Sequence, residues 1–285
     1  MRAQQGGQAR SAAGAVIGPV GAPDLHVMSW NVRRRIPDLV TRPADRWRRR
    51  APGVAALLAA ERPTVLCAQE VLPEQHSVLR EGLGSGYQFL GHGRAADGGG
   101  EACPIGYDAD RLELAEWEQS ALSDTPRRPG STSWGNLFPR ILVRAVFRDR
   151  ATGGRLQVIN THLDPLSAAS RVRSAAAIGE LTGACDSPTV VTGDLNAGPT
   201  SGALRELRGV GLADSWTAAR DRVTREWGTY GGYRSPRPHG TRIDWILTTP
   251  RLRVATAAIN PSRYAGGWPS DHLPVQAVVR GEGSA

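Results

Sequence analysis

Short apolar runs recur along the chain, and most of them are bounded by Gly, Pro, Asn or Asp. Runs of this length and composition are typical of β-strands that are partly or fully buried. The pattern predicts strands at residues 25–30, 64–68, 87–90, 140–147, 155–160, 188–192, 243–247, 252–259 and 275–279. A Gly-containing segment at residues 152–155 predicts a hairpin turn between two long strands.

Helical patterns are fewer than strand patterns. They predict helices at residues 45–60, 73–83, 167–181 and 200–207. The strands are therefore joined both by hairpins and by helical crossovers. This mixture indicates an α/β fold in which two packed, mixed β-sheets carry helices on their outer faces. Two long polar loops, at residues 95–100 and 124–139, are expected to be functional or mobile.

The 285 residues suit one large domain. We predict a single domain at residues 24–281 after a flexible N-terminal tail at residues 1–23, which is rich in Gly, Ala and Gln. Residues 12–22 are similar to a weak secretory signal, but Gly and Pro interrupt their apolar centre. We expect a cytoplasmic monomer, with secretion as the alternative. No apolar stretch approaches the roughly 20 residues that cross a bilayer, so we expect no membrane partner.

The formal net charge is +8, and all 35 basic residues are arginine. Because a guanidinium group can bind phosphate at two points, this composition predicts an anionic ligand. A GC-rich genome would give the same bias. Eight arginines lie between residues 33 and 50. With Trp30, Trp47 and Trp134 as stacking platforms, they could bind a nucleic acid; the alternative is a solvated helix face with a buried tryptophan.

Polar side chains stand at or near the ends of the predicted strands. Strand ends at one edge of a sheet meet in space, so residues far apart in the sequence can form one site. The set combines carboxylates, amides and histidines: Asn31, Glu70, His162, Asp194, Asn196, Asp244, Asp271 and His272. Carboxylate and amide oxygens suit a hard divalent cation such as Mg²⁺ or Mn²⁺. The three scattered cysteines argue against a disulfide framework and a structural zinc site.

The segment VVTGDLNA at residues 190–197 is the most informative of these strand ends. An apolar strand leads to Asp194, and in an extended chain Asp194 and Asn196 point the same way. Together they could hold a water molecule or a phosphate oxygen. The alternative is an Asx turn that caps a helix beginning near Thr200.

The segment PSDHLP at residues 269–274 places Asp271 beside His272. One of the two could hold a cation or a water while the other donates to a phosphate oxygen. Asp244 lies inside an otherwise apolar strand, where a carboxylate needs a partner. His272 would be such a partner and would be oriented by Asp244. An ion pair with Arg242 is the alternative.

Six segments, taken together and in this order, resemble the endonuclease/exonuclease/phosphatase superfamily, which includes deoxyribonucleases and exonuclease III-like enzymes. The matching segments are SWNV (29–32), QEV (69–71), THL (161–163), GDLN (193–196), RIDW (242–245) and SDHLP (270–274). Residues 104–108, 122–126 and 138–140 are similar to a bacterial branch near the deadenylases and nocturnin. The resemblance implies a four-layer α/β sandwich, with residues 24–281 as its catalytic domain.

The resemblance also implies a Mg²⁺ or Mn²⁺ ion at one end of the two sheets. Glu70 would be its main ligand, supported by Asn31 and Asp271. Asp194 would orient or deprotonate the attacking water.

The remaining residues would contact the phosphate. Asn196 would hold one phosphate oxygen, and His272, oriented by Asp244, would donate to another as charge builds. His162 would contact the phosphate and assist the leaving group. Such a site suits phosphoryl transfer, which depends on positioning and charge neutralisation.

We therefore expect a Mg²⁺- or Mn²⁺-dependent phosphoesterase whose substrate is a nucleic acid, a nucleotide or a small phosphate ester. The alternative is a non-catalytic nucleic-acid-binding module that uses the Arg-rich segment. Binding alone needs no cluster of carboxylates and histidines, which argues against this alternative. A hydrolase with a serine nucleophile ranks last because the chain has no GxSxG segment.

Overall fold

A computed structural model describes residues 14–281. Residues 1–13, which make up more than half of the predicted tail, lie outside the described residues. The strands are β1 (Leu25–Asn31), β2 (Val65–Gln69), β3 (Tyr87–Leu90), β4 (Ile105–Asp108), β5 (Leu112–Ala121), β6 (Ile141–Asp149), β7 (Arg155–His162), β8 (Thr189–Asp194), β9 (Ala213–Asp214), β10 (Asp221–Arg222), β11 (Asp244–Thr248), β12 (Leu252–Ile259) and β13 (Val275–Gly281).

The strands form two mixed sheets, as the sequence predicts. The first has seven strands in the order β10-β12-β13-β1-β2-β4-β3, and the second has six in the order β5-β6-β7-β8-β11-β9. In the first sheet β1 is parallel to β2 and antiparallel to β13. In the second sheet β7 is parallel to β8, and β6 and β7 form the predicted hairpin.

The helices are α1 (Trp47–Glu61), α2 (His76–Leu83), α3 (Ala168–Gly183), α4 (Gly202–Gly209) and α5 (Ser215–Ala218). Serine hydroxyls cap two of them: Ser167 accepts from the Ser170 N–H at the start of α3, and Ser201 accepts from the Leu204 N–H at the start of α4. The first four helices confirm the predicted ones to within a few residues. No helix in residues 14–281 combines the length and apolar character needed to cross a membrane.

The main core lies between the two sheets. Val27 of β1, Val158 of β7 and Val190 of β8 are completely buried there. Burying a side chain of this size contributes about 2 kcal/mol to stability. The two sheets therefore form the two inner layers of a sandwich.

The helices bury the outer face of each sheet. On the first sheet, Trp30 packs in one cluster with Leu57 of α1. On the second, Ile159 of β7 packs in one cluster with Ile178 of α3 and Leu204 of α4. The four-layer α/β sandwich is thus confirmed.

The N-terminal segment that precedes β1 packs on this domain from Val16 onward. The backbone N–H groups of Val16, Ile17 and Gly18 donate to the carboxylate of Glu61 at 2.7–3.1 Å. Glu61 is completely buried and also accepts from Asn260 Nδ2 at 2.9 Å. Residues 16–18 of the predicted flexible tail are therefore held by a buried carboxylate.

Candidate active site

One end of the sandwich collects the ends of several strands. Since β1 is parallel to β2, and β7 to β8, the C-terminal ends of each pair lie at one edge of their sheet. β11 is antiparallel to β8 and begins at this same edge, where Asp244 lies opposite Asp194. The loop before β13 returns to the end of β1. This topology brings all eight predicted site residues to one end of the molecule.

Side-chain alternation turns the polar residues inward. Along a strand every second side chain faces the same way. In β8, Val190 faces the core between the sheets, and Thr192 and Asp194 follow on the same side. In β1, Val27 and Asn31 are related in the same way. Apolar residues thus fill the middle of the space between the sheets, and polar residues line its end.

A layer of buried amides supports the site from below. Gln69 Nε2 donates to Asn160 Oδ1 at 2.8 Å, and Asn160 Nδ2 donates to the Ala68 carbonyl at 2.9 Å. Both amides are completely buried, and Thr192 Oγ1 approaches Asn160 Oδ1 at 3.3 Å. Because these bonds join the two sheets, they fix the distance between the residues that each sheet contributes.

Asn31 links the two central carboxylates. Its Nδ2 donates to Glu70 Oε1 and to Asp194 Oδ2, both at 3.0 Å. Its Oδ1 accepts from the Arg33 N–H at 2.9 Å. In this orientation the amide oxygen points away from Glu70, so ligation of a cation by Asn31 would require the amide to rotate.

Glu70 is held as an anion. Burial would raise the pKa of this carboxyl, but His162, Asn31 and the backbone N–H of Arg34 outweigh burial and lower the pKa to about 2. Glu70 has a φ of 60°, in the left-handed region that a residue with a side chain rarely adopts. The backbone at the end of β2 is therefore held in an uncommon conformation at the site.

Asp194 lies between two histidines. Its Oδ2 is 3.6 Å from His162 Nε2 and 3.8 Å from His272 Nε2. Burial and the nearby Asp244 raise the pKa of Asp194, so it accepts a proton more readily than an ordinary aspartate. Burial lowers the pKa of His162, which favours its neutral form.

Asp244 is the partner of His272, as predicted. His272 Nδ1 donates to Asp244 Oδ2 at 2.9 Å, and Asp244 is completely buried. Burial would lower the pKa of His272, but Asp244 and Asp194 raise it well above its ordinary 6.5. The alternative partner, Arg242, instead donates to both oxygens of Asp214 at 2.9 Å.

Arg33 is a cation that sequence reasoning did not place in the site. Its guanidinium lies 3.6 Å from Asp271, 3.9 Å from Glu70 and 3.3 Å from Asp45. Burial would lower the pKa of Arg33, but these carboxylates raise it. The signal available in the sequence was the run of arginines that follows Asn31.

Glu70 and Asp271 fit a divalent cation because their carboxylates already face one shared positive group, the guanidinium of Arg33. Oxygen donors of this kind suit Mg²⁺ and Mn²⁺. Asp194, Asp244 and His272 form a second group of possible ligands, whose ligand atoms all lie within 4.8 Å of one another. Asp244 already accepts from His272 with both of its oxygens, which leaves this second group less open to a cation than Glu70 and Asp271.

Comparison with known proteins decides the family. Residues 28–272 match the model of the endonuclease/exonuclease/phosphatase family. The chain belongs to this family.

Solved structures of other family members superpose closely. A Bacteroides vulgatus family member is 29% identical with a TM-score of 0.82, covering 91% of this chain and 99% of that one. A mannosyl-6-phosphatase from Bacteroides thetaiotaomicron is 27% identical with a TM-score of 0.82, covering 90% and 99%. The human nocturnin catalytic domain shares the fold at 18% identity and a TM-score of 0.66, covering 91% and 94%. The comparison with curated proteins found no match.

Family membership makes this chain an enzyme that hydrolyses phosphate esters. The resemblance drawn from six short segments is thus confirmed. The identity of the substrate is not fixed by the family.

Asp194 forms an Asx turn with the backbone of Asn196, and Asn196 also lines the cavity of the candidate site. Its N–H donates to Asp194 Oδ1 at 3.0 Å, and its Nδ2 donates to the Leu163 carbonyl at 3.0 Å. The turn does not cap α4, because Ser201 does so. One N–H of the Asn196 amide remains for a ligand.

A cavity of about 510 Å³ opens above these residues. Its walls also include residues outside the eight predicted site residues: Arg94, Glu101, Leu137, Phe138, Arg140, Asp164, Pro165, Leu166 and Tyr230. Leu137 and Phe138 come from the long polar loop at residues 124–139, so this loop forms part of the cavity wall. Arg140 belongs to the segment 138–140 that resembles the bacterial branch, and the remaining residues come from separate segments of the chain.

Most of the Arg-rich segment is engaged within the protein. Five of its eight arginines lie within 4.0 Å of a carboxylate: Arg33, Arg34, Arg35, Arg48 and Arg50. Trp30 is completely buried and donates to the His272 carbonyl at 3.2 Å, so its predicted role as a stacking platform is wrong. The structure therefore gives less support than the sequence for an extended phosphate-binding surface along this segment.

Proposed function

We propose that the protein is a divalent-metal-dependent phosphatase that removes phosphate from a small phosphorylated molecule. The proposal depends mainly on the position of Asp194. It is hydrogen-bonded to Asn31, faces two histidines, and borders a cavity of about 510 Å³. A buried carboxylate with a raised pKa beside a charged imidazole suits the activation of water against a phosphate.

In this proposal Asp194 takes a proton from the attacking water. Its Oδ1 accepts the Asn196 N–H, which leaves Oδ2 directed toward the site. His272 carries a proton at neutral pH, and its Nε2–H donates to a phosphate oxygen as negative charge develops. His162 Nε2 and the free N–H of Asn196 contact further oxygens.

Glu70 and Asp271 would hold the cation, with Asn31 beside them. A Mg²⁺ or Mn²⁺ ion supplies neutralisation of the phosphate charge and stabilisation of the leaving oxygen. Arg33 would move from these carboxylates when they bind a cation, which places its guanidinium near the phosphate.

The cavity supports a small substrate. Positive and negative groups alternate along its wall, because Arg94 and Arg34 lie 2.9 and 3.3 Å from Glu101. A polynucleotide backbone favours a continuous positive surface, whereas a polyhydroxylated molecule can use both acceptors and donors. The similar mannosyl-6-phosphatase supports a sugar phosphate as the substrate class.

The test is an assay in Mg²⁺ or Mn²⁺ that measures phosphate release from sugar phosphates, inositol phosphates and nucleotides, and strand cleavage of oligo(A) and plasmid DNA on gels. We expect release from a sugar phosphate and its loss on addition of EDTA. Cleavage of nucleic acid alone would replace the proposed substrate class. Nucleic-acid binding that survives EDTA, without turnover of any ester, would favour the non-catalytic alternative.

A further inference from the structure

A second cavity, of about 600 Å³, adjoins the active site. The two cavities share Tyr230 and Ile243 in their linings. The Tyr230 ring lies 5.0 Å from the His272 ring, so this tyrosine stands between the catalytic histidine and the second cavity. A molecule bound at the active site can therefore extend into the neighbouring space.

The second cavity is positively charged. Arg42, Arg234 and Arg237 line it, and no acidic side chain does. Within residues 14–281 none of these three guanidinium groups has a carboxylate oxygen within 4.0 Å. The active-site cavity differs, since its arginines are paired with carboxylates. We name the second space the arginine-lined cavity.

The walls of the arginine-lined cavity are fixed to the catalytic end. The N–H groups of Gly231 and Gly232 donate to the Asp271 carbonyl at 2.9 and 3.1 Å. Tyr233 donates to Asp45 Oδ1 at 2.7 Å, which ties the loop of Arg234 and Arg237 to the segment that carries Arg42. Gly232 has a φ of 58°, a conformation that glycine adopts at little cost.

We propose that the arginine-lined cavity binds a second phosphate group of the substrate. The inference rests on the proposed phosphatase function and narrows its substrate class to phosphate esters that carry another phosphate. Three arginines with no carboxylate partner can each donate two hydrogen bonds to a phosphate. The second phosphate belongs either to a small bisphosphate or to the next nucleotide of a short strand, and the chemistry of recognition is the same.

The test measures binding rather than turnover. In the Asp194→Asn background, calorimetry would compare fructose 6-phosphate, fructose 1,6-bisphosphate and a 5′-phosphorylated dinucleotide. We expect at least one probe with two phosphates to bind about tenfold more tightly than the monophosphate. The double variant Arg234→Ala/Arg237→Ala should remove this preference and leave monophosphate affinity unchanged.

The control is Arg148→Ala/Arg155→Ala, which removes the same charge from the opposite end of β6 and β7 and should keep the preference. The bisphosphate and dinucleotide arms show which source of phosphate the cavity accepts. Equal affinity for one and two phosphates, or a preference that survives in Arg234→Ala/Arg237→Ala, would overturn the inference. Failure of the phosphatase function would appear separately, as absence of turnover by the wild-type enzyme.

Discussion

At the scale of single residues, Asp194 has the most demanding environment. It is buried, lies opposite Asp244 across the sheet, and still must accept a proton. We expect Asp194→Asn to lower kcat by at least ~100-fold, because the amide cannot act as a base while its shape is retained. Steady-state phosphate release measures the loss, and circular dichroism with thermal unfolding checks the fold. Asp110→Asn, at an exposed aspartate, should keep full activity.

The Asp244–His272 pair predicts how the rate of hydrolysis depends on pH. Activity requires Asp194 without a proton and His272 with one, so the rate rises through the pKa of Asp194 and falls through that of His272. Asp244 raises both pKa values. Asp244→Asn should therefore move both limbs of the kcat–pH profile to lower pH. A profile that keeps its position, at whatever rate, would contradict the assigned electrostatics.

The position of Arg33 predicts that this residue lowers the affinity of the site for a divalent cation. Because its guanidinium neutralises Glu70 and Asp271, it competes with a divalent cation for them. Arg33→Ala should bind Mn²⁺ about tenfold more tightly in calorimetry or electron paramagnetic resonance titration. Arg35→Ala, which breaks an exposed ion pair with Glu74, is the matched control and should not change the affinity. Weaker Mn²⁺ binding by Arg33→Ala would show that the two cations do not compete.

Sequence position was enough to find the carboxylates and histidines of the site. Asp194 and Glu70 follow apolar strands, and such positions collect at a sheet edge. Arg33 could not be placed in this way, because its side chain turns back toward Asp271, which is distant in the sequence. The amide of Asn31 could not be oriented, since its bonds depend on residues from both sheets.

At the scale of elements, the junction between the N-terminal segment and β1 contains a buried titratable pair. His26 is completely buried, and its Nδ1 lies 2.9 Å from the Gly18 carbonyl. Burial, partly offset by Glu61, lowers the pKa of His26 to about 4. The folded protein therefore keeps His26 neutral in a pH range where the unfolded chain binds a proton.

Because the folded and unfolded states differ in the pKa of His26, the free energy of unfolding should fall as the pH falls. The contribution of His26 is constant above about pH 6.5 and is lost as the pH falls toward 4, because protons bind preferentially to the unfolded chain. Between pH 7 and pH 5 the free energy of unfolding should decrease by about 2 kcal/mol because of His26. Urea unfolding of the wild type and His26→Gln at both pH values measures it. The variant should lose less stability than the wild type; equal losses would exclude His26 as the source.

Elements with strong apolar patterns were predicted, and edge elements were not. β5 has the sequence LELAEWEQSA, pairs within residues 14–281 only with β6, and leaves much of its length exposed. A strand of this kind has no apolar run to mark it. β4 is only four residues long, and its partners β2 and β3 are what define it as a strand.

At the scale of the whole molecule, the layer architecture follows from alternation and helix amphipathicity, but the strand order does not. The sheet centre pairs β1 with β13, the first and last strands of the described chain. No local pattern encodes a contact between segments so far apart. The meeting of Arg42 with Arg234 and Arg237 at one cavity could not be predicted for the same reason, because only tertiary packing brings these segments together.

The pairing of β1 with β13 also has a consequence for biosynthesis. Asn31 ends the first strand, and His272 lies just before the last one, so the hydrolytic centre exists only after both have emerged from the ribosome. A polypeptide that stops before His272 keeps β2 beside β1 but lacks the second neighbour of β1 and that histidine of the candidate site. Translation must therefore pass His272 before the candidate site can assemble.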